Sequence, residues 1–196
     1  MNGRLVLLPV VAMLLATVAL ASVFVYYPLT IGITPTAPGV IFQEGSNAGK
    51  ADIGTSNIIV TIGPNSTSAS VTIHPTYQHN YYKDVLRIYN GDDDAMNVYI
   101  IFDSLSNLLP GGSEVKMFFY QDNTKVKELD ITNPTTSSPI PIGQIGSSAT
   151  WQIDFYVYIP EGTSIDSIDS ASYSASARLV YTPSDETPPV SPDSGR

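Results

Sequence analysis

The sequence contains no cysteine and few charged residues, and both absences narrow what this chain of 196 residues can be. Without disulfides, its stability must come from packing, backbone pairing and contacts between chains. Charged residues make up 14% of the chain, against about a quarter in an average protein. Acidic residues outnumber basic ones by 18 to 9, and such a chain is poorly suited to bind nucleic acid or an anionic membrane face.

Signatures of catalysis and metal binding are also scarce. The two histidines, His74 and His79, would point to opposite faces of a strand. No G-x-S-x-G, H-E-x-x-H or phosphate-loop pattern occurs. The acidic run 91–94 lacks the spacing of an EF-hand. We therefore expect no enzyme, no catalytic residue, no metal and no cofactor. A histidine site, or calcium at 91–94, stays open as the alternative.

The one long apolar run lies at the start of the chain. Met1–Arg4 carries a positive charge, Leu5–Leu20 is almost wholly apolar, and Ala19-Leu20-Ala21 has the small-x-small form of a cleavage site. This layout is typical of a Sec signal peptide over 1–21, and it predicts a secreted protein with no membrane contact after cleavage.

Two other readings of this run stay open. The run extends through Tyr27, which is long enough to span a bilayer as a retained anchor, although Pro28 and Gly32 interrupt any helix there. A type IV pilin leader would need a basic and then a small residue just before the run. Here Arg4 is followed directly by Leu5.

Most of the remaining sequence has the composition of strands. The chain contains 12 Tyr, and aromatic and β-branched residues suit a pleated, half-buried surface. No segment after Thr30 keeps a helical apolar period for three turns. We therefore predict an all-β protein, a single jelly-roll-like β-sandwich with helix limited to a turn near 165–170. Strands are predicted at Val23–Ile33, Asn57–Ile62, Ser68–Ile73, Asp84–Tyr89, Met96–Asp103, Glu114–Gln121, Thr124–Ile131, Thr150–Ile159 and Ser172–Tyr181.

The first predicted strand has an unusual pattern. Its odd positions are all apolar, and Pro28 lies in its middle, which restricts the strand to an edge or a bulge. It could be tied into its own sheet, or it could leave across the loop-rich segment that follows and complete a neighbour's sheet. Repeated head to tail, the second arrangement builds a filament. The donor residues would be Val23, Val25, Tyr27, Leu29, Ile31 and Ile33.

The stretch TYQHNYYKDVLRIYNG at 76–91, with the aromatic and β-branched strand at 97–102, resembles the archaeal bundling pilins, which are related to camelysin/TasA-like biofilm matrix fibre proteins of bacteria. The resemblance implies a jelly-roll subunit that polymerises by donor-strand complementation. Its partners would be further copies of itself, and its filaments would contact one another laterally in a biofilm matrix. The candidates for the core or the accepting groove are Val98, Ile100, Phe102, Trp151, Phe155 and Val157.

Together these inferences divide the chain into five parts. They are a signal peptide (1–21), a donor strand (22–34), a loop-rich linker (35–56), a sandwich domain (57–182) and a Pro/Ser/acidic tail (183–196). Asn65 begins the only N-glycosylation sequon. Two other functions stay open. One is a monomeric or anchored surface adhesin or carbohydrate-binding module with Tyr-rich faces, and the other is a secreted enzyme or inhibitor.

Overall fold

The computed structural model describes residues 26–162 and 172–189. The chain divides into two compact units, Met1–Thr36 and Ala37–Arg196. The signal peptide, Val23, Val25 and the helical turn predicted near 165–170 lie outside the described residues. In the first unit, residues 26–36 form neither helix nor strand.

The second unit is built from ten strands in its described part. In chain order they are β1 (Val40–Glu44), β2 (Ile59–Ile62), β3 (Ala69–Thr72), β4 (Gln78–Asn90), β5 (Met96–Asn107), β6 (Glu114–Gln121), β7 (Thr124–Asp130), β8 (Pro139–Ile145), β9 (Thr150–Ile159) and β10 (Tyr173–Thr182).

These strands form two antiparallel sheets and a separate hairpin. The larger sheet has the order β1-β4-β9-β6-β7, and the smaller one has the order β10-β5-β8. The hairpin consists of β2 and β3. Side chains from both sheets share one buried core, so the prediction of an all-β sandwich is confirmed. Its largest fully buried members are Trp151, Phe102, Phe119, Ile88, Ile145 and Ile153.

Strand β9 shows how the alternation of the sequence builds this core. Successive side chains of a strand face opposite sides of the sheet. The side chains of β9 that point inward and are buried include Trp151, Ile153 and Val157. Trp151 is 0% exposed, and its indole N–H donates to Gln121 Oε1 at 2.9 Å. A buried indole needs such an acceptor, and this one ties β9 to the end of β6.

Two strands lie where the sequence indicates loops or breaks. β1 falls within the predicted linker 35–56, where the sequence allows only brief pairing over Val40–Gln43, and it pairs with β4 from Val40 to Glu44 as an edge of the larger sheet. β8 was not predicted, because Pro139 and Pro141 cannot donate to a sheet. It forms at the edge of the smaller sheet, where that donor is not needed. Gly143 in β8 has φ +152, and a Cβ there would approach Val126 Cγ1 to 3.3 Å.

The β4–β5 turn is held by one buried amide. Asn90 is fully buried, and its Nδ2 donates to the carbonyl oxygens of Asp94 at 2.8 Å and Gly146 at 3.0 Å. Its Oδ1 accepts from the Asp92 N–H at 3.1 Å. The turn that contains the acidic run is therefore fixed by Asn90.

A buried acidic network holds the bulge of β4. The pairing of β4 with β9 shifts register between Tyr82 and Leu86, and Asp84 within the bulge has φ 47. Asp84 Oδ1 accepts from Arg87 Nε at 2.8 Å, and Asp84 Oδ2 accepts from the Ser46 N–H at 3.1 Å. Burial acts to raise the pKa of Asp84, but the hydrogen bonds from Arg87 and Ser46 outweigh it and lower the pKa to about 2.

We expect this network to make the free energy of unfolding depend on pH in the acidic range. The folded pKa of Asp84 is below its usual value of 3.8, so its contribution is fully present above about pH 4 and is lost as the pH falls through 2. That contribution is about 2 kcal/mol. Urea unfolding between pH 5 and pH 2 should therefore show about 2 kcal/mol more loss in the parent than in Asp84→Asn.

The asparagine variant is matched in backbone preference and shape, because Asn tolerates positive φ as Asp does; it removes the charge and replaces one of the two acceptor oxygens by a donor. Equal acid sensitivity in the parent and the variant would contradict the assignment.

Candidate functional site

An apolar groove opens between two unpaired strand edges of the second unit. Among the described strands, β10 pairs only with β5, and β3 pairs only with β2. A cavity of about 760 Å³ lies between the free edges of β10 and β3, and the shared core forms its floor. Its apolar lining includes Ala69, Val71 and Ile73 from one wall, Tyr173, Ala175, Ala177 and Leu179 from the other, and Leu86, Ile88, Ile100, Phe102, Ile153, Phe155, Val157 and Ile159 from the floor.

The groove has two distinguishable ends. A smaller adjoining pocket of about 270 Å³ is lined by Thr67, Ser68 and Ala69 on one side and by Ala177, Arg178 and Leu179 on the other. These residues mark one end of the groove, at the start of β3 and in the middle of β10. Since both strands line the groove along their length, His74 after β3 and Ser172 before β10 lie toward the other end. The two walls therefore run antiparallel to each other.

The β10 wall is made of small side chains. Ala177 is paired with Phe102 in β5 and Ala175 with Leu105, so both alanines point to the inner face of the sandwich. Both are nevertheless exposed. An inner face that is exposed over two residues leaves space beside β10 for another strand and its side chains.

The structure brings together four of the six residues predicted for the core or groove. Ile100, Phe102, Phe155 and Val157 line the groove, whereas Val98 and Trp151 are buried in the core and do not line it. Sequence reasoning did not identify the walls as part of this site. The signal available for them was the pair of inward alanines on a strand whose other inward residues are large, Tyr173 and Leu179.

One end of the groove is polar. Asp52 Oδ2 accepts from the His74 N–H at 2.7 Å and lies 3.1 Å from His74 Nδ1. The Asp52 side chain is 1% exposed and that of His74 is 40% exposed, so the carboxylate holds the imidazole at the mouth of the groove. Burial, and then the charge of Asp52, raises the pKa of the Tyr82 hydroxyl above its usual range.

Tyr173 closes the wall at this same end. Its hydroxyl donates to the carbonyl oxygen of Ile131. Burial, followed by the charge of Asp130, raises the pKa of Tyr173 to about 12. The hydroxyl of Tyr173 is therefore neutral and already engaged at physiological pH.

The first unit presents an exposed row of large apolar side chains. Tyr27, Leu29, Ile31 and Ile33 are between 71% and 85% exposed. Residues 26–36 make no strand, so their backbone donors and acceptors are not committed to a sheet. This is the described part of the predicted donor segment.

The remaining predicted features lie away from the groove floor. Asn65 is exposed in a short turn with φ 56, where a glycan would be accessible. His79 lies on the outer face of the larger sheet, stacked on Tyr158 at 4.7 Å and joined to the Tyr156 hydroxyl at 2.6 Å. Within residues 26–162 and 172–189, no three His, Asp or Glu side chains converge as a metal site.

The described part of the chain contains no helix with the length and apolarity needed to cross a membrane. Comparison with protein-family models gives no match for the chain, and comparison with curated protein sequences gives none either.

An open groove should tolerate a charge on its exposed wall. We expect Ala177→Asp to change the free energy of unfolding by less than about 1 kcal/mol, because the side chain is exposed. Phe102→Ala should cost about 3–5 kcal/mol, because it empties the buried floor beneath. Urea unfolding at a concentration where the protein is monomeric tests both. A loss in Ala177→Asp as large as that in Phe102→Ala would mean that the groove is closed in solution.

Proposed function

We propose that this protein is the structural subunit of an extracellular filament, a bundling pilus or biofilm matrix fibre, that polymerises head to tail by donor-strand complementation. The N-terminal segment of one subunit enters the groove of the next. The observation that carries the proposal is an apolar groove bounded by the unpaired edges of β3 and β10, in a chain with an exposed apolar row at residues 27–33. The resemblance of residues 76–102 to archaeal bundling pilins agrees with it.

The physical chemistry of the two surfaces supports this pairing. Each large side chain moved from water into the groove contributes about 1.5–3 kcal/mol before the cost of ordering the segment. An incoming strand also gains main-chain hydrogen bonds from an edge that is otherwise open to aggregation. Because the donor and the acceptor are different surfaces of one chain, the contact is heterologous and can repeat without closing.

The chemistry of the chain agrees with an extracellular fibre. The signal-like start predicts export. A subunit without cysteines has no disulfide to hold it, so burial of a donated strand would supply durability between subunits. The partners are further copies of the same chain along the filament, and other filaments at its sides.

A surface carbohydrate-binding module is the alternative, and the aromatic residues on the outer face of the larger sheet are its basis. There the rings contact one another: Phe118 lies 5.9 Å from Tyr81 and 6.5 Å from Tyr120, and Lys125 Nζ lies 5.6 Å from the Phe118 ring centre. Sugar stacking needs free ring faces; Lys125 lies over Phe118, whereas Tyr81 is 51% exposed. We favour the filament because a sugar-binding face would leave the groove and the exposed apolar row at residues 27–33 without a role.

A charge within the exposed apolar row at residues 27–33 should stop filament assembly. We expect Ile31→Asp to abolish filaments and leave a soluble, folded subunit, since an unpaired carboxylate would have to enter the apolar groove. Thr30→Asp is the matched control, because residue 30 faces away from the apolar row. Negative-stain electron microscopy and circular dichroism of the exported proteins test this. Full-length filaments from Ile31→Asp would count against the proposal.

A mixture of two inactive variants gives a sharper test. Ile31→Asp keeps an intact groove, and Ala177→Asp keeps an intact donor segment. Neither should polymerise alone, but an equimolar mixture should form a heterodimer that cannot extend, because one donor and one groove remain usable. Light scattering should give the mass of two subunits. A mixture that stays monomeric, or that grows into filaments, would contradict a donor-and-groove contact.

A further inference from the structure

The two ends of the groove present different polar groups, and this difference assigns a direction to the segment that fills it. Resting on the proposed function, we propose that four side chains, Tyr27, Leu29, Ile31 and Ile33, fill the groove of a second copy, with Tyr27 at the end formed by His74 and Asp52. The donated strand would then run parallel to β10 and antiparallel to β3.

The length of the groove sets the number of side chains. Within the described residues the β10 wall runs from Ser172 to Leu179, and a strand rises about 3.3 Å per residue. Eight residues of wall therefore accommodate about eight residues of a neighbouring strand, of which half point inward. Residues 27–33 supply four inward apolar side chains over this span.

The shape of the wall matches the order of these four side chains. Its inward positions are Tyr173, Ala175, Ala177 and Leu179 in sequence, large at both ends and small in the middle. The two branched aliphatic residues at the centre of the donor, Leu29 and Ile31, would lie opposite the two alanines. Large side chains facing small ones fill the space between two strands without overlap.

The polar groups at the two ends of the groove then distinguish the two possible directions of the donated strand. Tyr27 is the only one of the four with a polar atom in its side chain, and a buried hydroxyl without a partner is costly. The end marked by Ala69 and Leu179 is also lined by Thr67, Ser68 and Arg178. The Thr67 hydroxyl already donates to the Pro64 carbonyl oxygen at 3.1 Å. Arg178, the one charged residue there, has its Nε bound to both carboxylate oxygens of Asp103 at 3.0 and 3.1 Å.

At the opposite end, His74 has its Nδ1 held by Asp52, which directs the other ring nitrogen to a different partner. The half-exposed imidazole at the groove mouth is the group positioned to bond the Tyr27 hydroxyl of the second copy. His74 would thus be a positioning residue for the donated strand rather than a catalytic one.

Engineered disulfides can determine the direction of the donated strand in the full-length chain, which has no cysteine of its own. In the proposed direction Ile31 faces Ala177 and Leu29 faces Ala175. In the reverse direction Ile31 faces Ala175 and Leu29 faces Ala177. Because a disulfide requires Cα atoms within about 7 Å, the four double-cysteine variants distinguish the two arrangements. Filaments of each variant would be oxidised and run on a non-reducing gel.

We expect covalent ladders from Ile31→Cys/Ala177→Cys and from Leu29→Cys/Ala175→Cys, and few or none from the other two pairs. Ladders only from the swapped pairs would overturn the direction. A ladder from Leu29→Cys/Ala177→Cys without one from Ile31→Cys/Ala175→Cys would place the segment two residues out of register and would also overturn it. Filaments in these cases would leave the proposed function standing. Absence of filaments from the parent chain would overturn the proposed function instead.

A second measurement tests the polar contact alone. Tyr27→Phe should raise the critical concentration for assembly by about 2- to 10-fold, the effect of one hydrogen bond. His74→Phe should raise it by a similar factor once the monomer's own loss of stability is measured by urea unfolding and subtracted, because this variant also removes the Nδ1 contact to buried Asp52. The double variant should be little worse than either single one, because both remove the same contact. Additive effects in the double variant, or no effect in either single one, would contradict a bond between these two groups.

Discussion

The unsatisfied edge of a β-sheet is the constraint on which this molecule depends. Each strand carries hydrogen-bonding groups on both sides, and a sandwich also needs a cover for every apolar inner face. In the second unit most of the inner face is covered by the opposing sheet, except along the gap between β3 and β10. The proposed donated strand would account for three features of the described residues together: the unpaired edges, the exposed inward alanines and the wide apolar groove.

The buried core stabilises the domain despite this open groove. Trp151, Phe119 and Ile145 are fully buried, and the hydrogen bond between Trp151 and Gln121 and the network around Asp84 add directional contacts. These lie in the larger sheet and its junction with β8, on parts of the sandwich that the groove does not reach. A domain with a complete core on one side can leave its other side open for a partner without losing its fold.

The sequence predicted much of the fold and part of the site. Strands β6 and β9 were predicted with their observed bounds, because alternation and flanking turn signals agree there. β8 was missed because its prolines oppose a strand and only its edge position permits one. Ile100 and Phe102 could be identified as inward-facing from period alone. The position of Ala175 and Ala177 beside an opening could not be predicted, because it depends on which strand edges stay unpaired once the described strands have formed their sheets.

The hydrogen bonds around Asn90 bear on how long the protein lasts. An Asn-Gly pair is chemically fragile, because the glycine nitrogen can attack the asparagine side-chain carbonyl and release ammonia. Here the Asn90 amide is buried and bound to two backbone carbonyls, and the Gly91 N–H donates to the Gly39 oxygen at 2.8 Å. The attacking nitrogen and the leaving amide are both held in place. The geometry at this turn therefore disfavours deamidation, and in the proposed filament slow deamidation would favour persistence of the assembled subunits.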